Sequence, residues 1–180
     1  DILDIVMLKE GIPSVVSQPV NLAGLAKHVV DMFISSIKLK NINFCFDIIE
    51  LPEVVRCDKY RIERIMIALL GNAVKFSHES GDLHFSVKVA DESDTDYSIA
   101  IVVKDTGMGM REDEVAQMYE TFYRAAPAYQ TKIKNSGNGL GLAIVKQCVE
   151  EIDGQIDCLS KIGEGTTFIV GFKAKKSILS

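Results

Sequence analysis

No apolar run in this 180-residue chain approaches the ~18 residues a membrane-spanning helix requires. No basic segment followed by an apolar one opens it, so a secretory signal is not expected. Lysine and arginine form no stripe and the net charge is −5, which removes the electrostatic footprint of a nucleic-acid binder. Cys45, Cys57, Cys148 and Cys158 show no CxxC pairing and lie in apolar stretches. Buried thiols in a reducing cytosol are therefore expected, not disulfides or a metal site. His28, His78 and His84 are scattered without HExxH or other ligand spacing and read as surface or boundary residues. No Gly-Lys pair occurs, which excludes a Walker loop, and no internal repeat is visible. What remains is ordinary for a soluble globular chain: 47% hydrophobic and 25% charged residues, enough length for one domain with a sizeable core. The first residue is Asp1 and not Met, so a piece of something longer is expected, whose remainder is open to hold an anchor or a sensor.

Periodicity divides the chain into elements. "DILDIVMLKEG" (1–11) has helical spacing with Gly11 as its stop and reads as the tail of a helix. "NLAGLAKHVVDMFISSIK" (21–38) is an amphipathic helix with Asn21 as N-cap. "INFCFDI" (42–48) alternates like a half-buried strand. From the N-cap Asp58, a second long helix carries Ile62, Ile65, Met66, Leu69, Leu70 and Ala73 on one stripe. Strands over 83–90 and 97–104 flank the acidic turn "DESDTD" (91–96). A short helix is expected over 112–122, a stretch of poor periodicity over 124–139, then a helix through "LAIVKQCVEEI" and two strands around "GEG". The predicted fold is an α/β two-layer sandwich, with a mixed sheet of about five strands packed on about three helices.

Several short segments carry chemistry. "KDTGMGM" (104–110) puts Asp105 at the end of an apolar strand and two glycines, Gly107 and Gly109, just beyond it. Alone, this suits a tight turn as well as a pocket where backbone approaches a flat ligand. "LLGNAVKF" (69–76) sets Asn72 beside the apolar stripe and Lys75 on nearly the same face, a pairing suited to a metal-bound polyphosphate. A lone Asn there is equally a packing hydrogen bond. "GNGLGLAIVK" (137–146) alternates glycines up to a helix start, where exposed N–H groups favour anions. "YETFYRA" (119–125) suits core packing or an interface, and ends in Arg124, a guanidinium able to grip phosphate. "GEGTTF" (163–168) starts a strand with Thr166.

In this order, the five segments closely resemble the N, G1, F, G2 and G3 boxes of the ATP-binding domain of sensor histidine kinases, and the resemblance extends over the whole chain. It implies a Bergerat-type sandwich binding Mg-ATP. By that match Asp105 accepts the adenine amino group, with Gly107 in the same loop and Gly109 and Thr166 assisting through water. Phe76 lies near the base, Asn72 binds Mg²⁺, and Lys75 and Arg124 contact phosphates. Residues 125–138 form a lid, and Gly137, Gly139, Leu140 and Gly141 a phosphate loop. The resemblance further implies a division into the end of a dimerisation helix (1–11), a linker (12–20), the ATP-binding domain (21–176) and a tail (177–180). Its partners are then the dimerisation and phosphoacceptor helices of the full-length kinase and a response-regulator receiver domain, with a cytoplasmic setting and no membrane contact by this part. One departure is Ala68, where the family often has a second Asn one turn before Asn72. A non-catalytic nucleotide-binding module and a gyrase- or chaperone-type ATPase are the competing readings.

Overall fold

Asn21 and Asp58 each stand immediately before an apolar stripe of helical period, and both cap a helix through the side chain. In the computed structural model, which describes residues 14–120 and 141–177, Asn21 Oδ1 accepts from the Gly24 N–H at 2.8 Å. Asp58 Oδ1 accepts from the Arg61 N–H, also at 2.8 Å. Each satisfies a first-turn donor that has no partner within its helix.

Strand β1 (Gln18–Val20) leads into helix α1 (Leu22–Leu39), strands β2 (Asn43–Ile49) and β3 (Val55–Cys57), and helix α2 (Lys59–Phe76). The hairpin of β4 (Asp82–Glu92) and β5 (Asp96–Asp105) follows, then the short helix α3 (Glu112–Gln117). Helix α4 (Gly141–Glu151), β6 (Gln155–Lys161) and β7 (Gly165–Lys176) complete the described elements. The strands form one sheet in the order β1-β3-β7-β5-β4-β2, with β6 also paired to β7. β2 runs parallel to β4 and the other pairs are antiparallel, so the sheet is mixed as expected.

Alternation along the strands separates two faces. On β4 and β5, Leu83, Phe85, Val87, Ile99, Ile101 and Val103 are all but fully buried. They meet the stripe of α2, where Ile62, Ile65, Met66, Leu69 and Leu70 show no exposure. Helix α2 also packs against α1 and α4, which completes the second layer. Among the described residues the other face of β2 and β4 is open, with Cys45, Asp47 and His84 exposed or half-exposed on it.

Among the described residues the sheet has seven strands where about five were expected. The additional two, β1 and β3, have three residues each. That is too short for alternation to register in the sequence, and only their pairing to each other and to β7 defines them. Residues 18–20, expected within a linker, thus belong to the sheet. The helix expected over 112–122 ends at Gln117. Cys45 corrects the expectation of buried thiols: it is exposed, whereas Cys57 and Cys148 are buried and Cys158 is partly so. It lies on the open face of a sheet edge, although its neighbours in sequence are apolar.

A buried ion cluster ties the helical layer together. Arg61 Nη1 donates to Asp58 Oδ2 at 2.8 Å, and Arg61 Nε donates to Glu151 Oε2 at 2.6 Å. The Val16 N–H also donates to Asp58 Oδ2, at 2.9 Å. The start of α2, the end of α4 and the segment entering β1 therefore meet at one guanidinium. The Arg61 and Asp58 side chains are only 3% and 4% exposed, so removing one partner leaves the other charged and dry. Arg61→Ala is expected to destabilise the chain by about 3–5 kcal/mol, read as a lower urea midpoint at unchanged slope. Glu151→Gln should cost less, because that side chain is 29% exposed and the amide still accepts.

Candidate functional site

Asp105 is the last residue of β5 and is paired in register with Leu83 on one side and Thr166 on the other. The alternation that buries Ile101 and Val103 also turns Asp105 toward the helical layer, where it is 8% exposed. Its Oδ1 accepts from the Gly107 N–H at 2.8 Å. Loss of water pushes the Asp105 carboxyl above its ordinary range, opposed by hydrogen bonding from the backbone of Gly107 and Thr166 and by His78 nearby. A carboxylate kept in a dry strand end by two backbone donors is a strong acceptor for an N–H donor placed beside it.

The loop after Asp105 is wedged between two backbones. A Cβ on Gly107 would lie 2.3 Å from the Phe76 carbonyl oxygen, at the end of α2. Gly109 has φ +66°, and a Cβ there would lie 1.9 Å from the Lys161 carbonyl oxygen. Both glycines are thus required by close approach and not merely by a turn. The Met108 N–H donates to the Phe76 carbonyl at 3.4 Å, while the Gly163 N–H donates to the Met108 carbonyl at 2.7 Å. This one loop brings the end of α2 together with the β6–β7 turn.

On α2, Asn72, Lys75 and Phe76 are half-buried and fall within slightly more than one turn. Lys75 Nζ stands 5.2 Å from the centre of the Phe76 ring. Thr166 lies across from Asp105, and its Oγ1 is 2.8 Å from Ser160 Oγ. The structure therefore brings Phe76, Asp105, Gly107, Gly109 and Thr166 together, with Asn72 and Lys75 on the last turns of the same helix. Gly141 opens α4, and a Cβ there would meet nothing within 4 Å. Arg124, Gly137, Gly139 and Leu140, and the expected lid over 125–138, lie outside the described residues. Tyr119 of the aromatic segment packs partly buried against the core, with Lys146 Nζ 5.6 Å from its ring centre.

Three contributors were not evident in the sequence. Ser160 Oγ accepts from the Met110 N–H at 2.9 Å and lies 3.1 Å from the Gly165 carbonyl oxygen, which joins the turn to the Asp105 loop. Lys40 Nζ donates to the carbonyls of Val74 and Lys75 at 2.7 and 2.8 Å, a cation at the negative end of α2. Burial lowers the Lys40 pKa. Gly165, with φ +115°, lets β7 pass the Asp105 carbonyl, and only the spacing GxGT hinted at it. Ser160 and Lys40 sit in stretches without any motif, so no linear signal marks them.

A mixed sheet covered on one face by helices, with a desolvated carboxylate beside a glycine wedge at the end of a central strand, defines a ligand-binding α/β sandwich. Residues 57–176 match the family described as "Histidine kinase-, DNA gyrase B-, and HSP90-like ATPase". The chain belongs to that family, as an ATP-binding catalytic domain of the sensor-histidine-kinase type.

Among curated relatives, the circadian input-output histidine kinase CikA of Synechococcus elongatus is 33% identical over 94% of this chain and 22% of its own length. The signal transduction histidine-protein kinase BarA of Escherichia coli is 30% identical over 93% of this chain and 18% of its own. The chain thus spans about a fifth of these relatives. Among solved structures, full-length ShkA in complex with AMPPNP superposes with a TM-score of 0.77 at 25% identity, covering 98% of this chain and 35% of that one. The catalytic domain of histidine kinase ThkA gives 0.70 at 24% identity, over 87% of this chain and 95% of that domain, and supports the fold alone.

The wedge yields a paired test. Gly109→Ala forces a left-handed backbone and a backbone clash, and is expected to cost at least about 1–3 kcal/mol. Gly141→Ala enters open space at a helix start and should leave stability unchanged or slightly raised. Thermal melts of both variants check this, and equal melting points would remove the wedge from the argument.

Proposed function

We propose that this chain is the catalytic part of a protein-histidine kinase, binding Mg-ATP and donating its γ-phosphoryl group to a histidine on a separate dimerisation domain. The observation that carries this reading is Asp105, a desolvated carboxylate held by backbone donors beside a loop with no room for a side chain at Gly107 or Gly109. That is a site built for the amino group of a flat base. Asp105 accepts from the adenine amino group, Gly107 and Gly109 let the backbone approach the ring, and Thr166 assists from the facing strand. Phe76 offers apolar surface next to the base.

The residues present also fit a hydrated magnesium ion. Asn72 offers a neutral, hard amide oxygen on the last two turns of α2, and Mg²⁺ keeps most of its waters and needs few protein ligands. When bound, the ion neutralises charge on the phosphates. Lys75 adds a cation one turn from Asn72, and by the family match Arg124 and the Gly137, Gly139, Leu140 and Gly141 loop contact phosphate. The lid over 125–138 and the domain boundaries at 11 and 176 belong to the same reading, with β1 joined to the ATP-binding domain, as do the dimerisation helices and a response regulator as partners. The ThkA kinase has been solved with its response regulator protein TrrA. A cytoplasmic setting accompanies that assignment, and among the described residues no helix is long and apolar enough to cross a membrane.

Hydrolysis is disfavoured by one side chain. A general base must reach the water it deprotonates. One turn before Asn72 stands Ala68, whose methyl group neither accepts a proton nor holds a water, and Glu63 lies more than two turns away. The gyrase-type reading is weakened accordingly.

Two experiments test the proposal. Asp105→Asn should weaken ATP binding roughly tenfold or more, because a hydrogen bond to a charged group is worth about 1.5–3 kcal/mol. Folding takes up a proton wherever a carboxyl is held above its unfolded value. That stabilisation is complete below the unfolded pKa and is lost as pH rises through the folded one. Charging Asp105 is therefore a net cost to folding, so the unliganded Asn variant should melt no lower than the parent while losing its ATP-induced shift. A folded variant with unchanged affinity by calorimetry would take Asp105 out of the site.

The second experiment asks where phosphate goes. His28 lies exposed on α1, His78 is exposed beyond α2, and His84 is hydrogen-bonded to Asp47 on the open face of the sheet. Radiolabelled ATP should leave no acid-labile label on this chain, yet label the histidine of an added dimerisation domain. Stoichiometric label on any of the three, or rapid phosphate release that Asn72→Ala abolishes, overturns the kinase assignment.

A further inference from the structure

The face of the sheet turned away from the helices carries a second group of reactive side chains. Parallel pairing sets Cys45 of β2 opposite His84 of β4, and Asp47 projects from the same face two residues along. His84 Nε2 lies 2.8 Å from Asp47 Oδ2, and Cys45 Sγ donates to that oxygen at 3.4 Å. The sulfur, the ring nitrogen and the carboxylate oxygen all lie within 4.8 Å of one another. An open hollow of about 540 Å³ runs beside Cys45 and His84, toward Asn43 and Asp82. The group lies on the opposite side of the sheet from Asp105 and plays no part in the nucleotide site.

We propose that Cys45, Asp47 and His84 form a site for a single zinc-type divalent cation at the outer edge of the sheet, with water in the remaining position. The donor set argues for this class of metal. A thiolate with an imidazole favours zinc, whereas Mg²⁺ and Ca²⁺ require oxygen ligands, so magnesium at the nucleotide site does not compete. Thiolate and carboxylate together cancel the two charges of the ion, and the neutral imidazole completes the set.

Tetrahedral bonds of ordinary length separate ligand atoms by roughly 3.3–3.7 Å. The sulfur, 3.4 Å from the Asp47 oxygen, already has that spacing, while the imidazole nitrogen, 2.8 Å from it, has to open by about half an ångström, a change within reach of side-chain rotation. Lys104, paired with His84 across β5, and Lys88 are cations on this face of β4 and β5 near the group, where Asp47 and Asp82 supply the opposite charge. Without metal, the Asp47 hydrogen bond holds the Cys45 thiol protonated above its usual range. Binding forms the sulfur–metal bond, breaks S–H and releases that proton to the buffer.

The test uses the reduced, nucleotide-free chain. Calorimetry should find one zinc equivalent, and cobalt should give a thiolate charge-transfer absorption band. Cys45→Ser should abolish the band, and both Cys45→Ser and His84→Ala should weaken zinc by at least the roughly tenfold that loss of an outer-shell partner costs. Cys158→Ser should change neither reading. The three positions are exposed or half-exposed, so the variants should keep their ATP-induced thermal shift. Failure of that shift in the parent chain would count against the nucleotide proposal alone. No saturable zinc binding, equal zinc affinity in both variants and the parent, or a cobalt band that survives Cys45→Ser overturns the metal site.

Discussion

The antiparallel ladder joining β5 to β7 runs from Asp96↔Lys175 to Asp105↔Thr166. Side chains alternate along it, so a slip of one residue would exchange the faces of the whole strand. Lys104 would then point into the helical layer and Asp105 into solvent. The burial of Ile99, Ile101 and Val103 against α2 forbids that slip, and so the hydrophobic core itself aims the carboxylate. Every other described feature of the proposed nucleotide site is arranged around this strand end. The glycine wedge sits past it, Thr166 faces it, and the end of α2 presses on the loop that follows.

Charge is managed differently at the two buried sites. Arg61 and Asp58 are dry but paired, with further hydrogen bonds to Glu151 and to the Val16 backbone, so their desolvation is offset within the cluster. Asp105 has two backbone donors and the nearby His78 to oppose its loss of water, with no ion-pair partner like that of Asp58, and it remains less comfortable as an anion. Such imbalance suits a binding residue, because a ligand N–H supplies what the fold withholds. The same physics thus yields a fastener between helices in one place and an acceptor in the other.

The two faces of the sheet divide the chemistry. The covered face carries the hydrophobic core and, at one end, the proposed nucleotide site. The open face is free to carry polar groups, and at the β2–β4 pair it collects a thiol, a carboxylate and an imidazole. These three are neighbours because two strands run parallel in one particular register.

Much of this was legible in the sequence because it is local. Helical stripes with Asn21 and Asp58 as caps, alternation in β4 and β5, and the five boxes in order depend on residues within a few positions of each other. They led directly to the α/β sandwich and to Asp105, Gly107, Gly109 and Thr166. What the sequence left hidden depends on residues far apart in the chain. The strands β1 and β3 exist only through their partners, and Lys40 caps a helix end 34 residues away. Arg61 meets Glu151 across 90 residues, and Cys45 meets His84 through strand register. By itself the sequence determined most of the helix and strand segments and marked the glycines and polar residues proposed to face a ligand, since periodicity and capping are short-range. Only the tertiary structure decided which of those residues meet, because contact between distant segments is set by sheet order, register and the packing of one layer on the other.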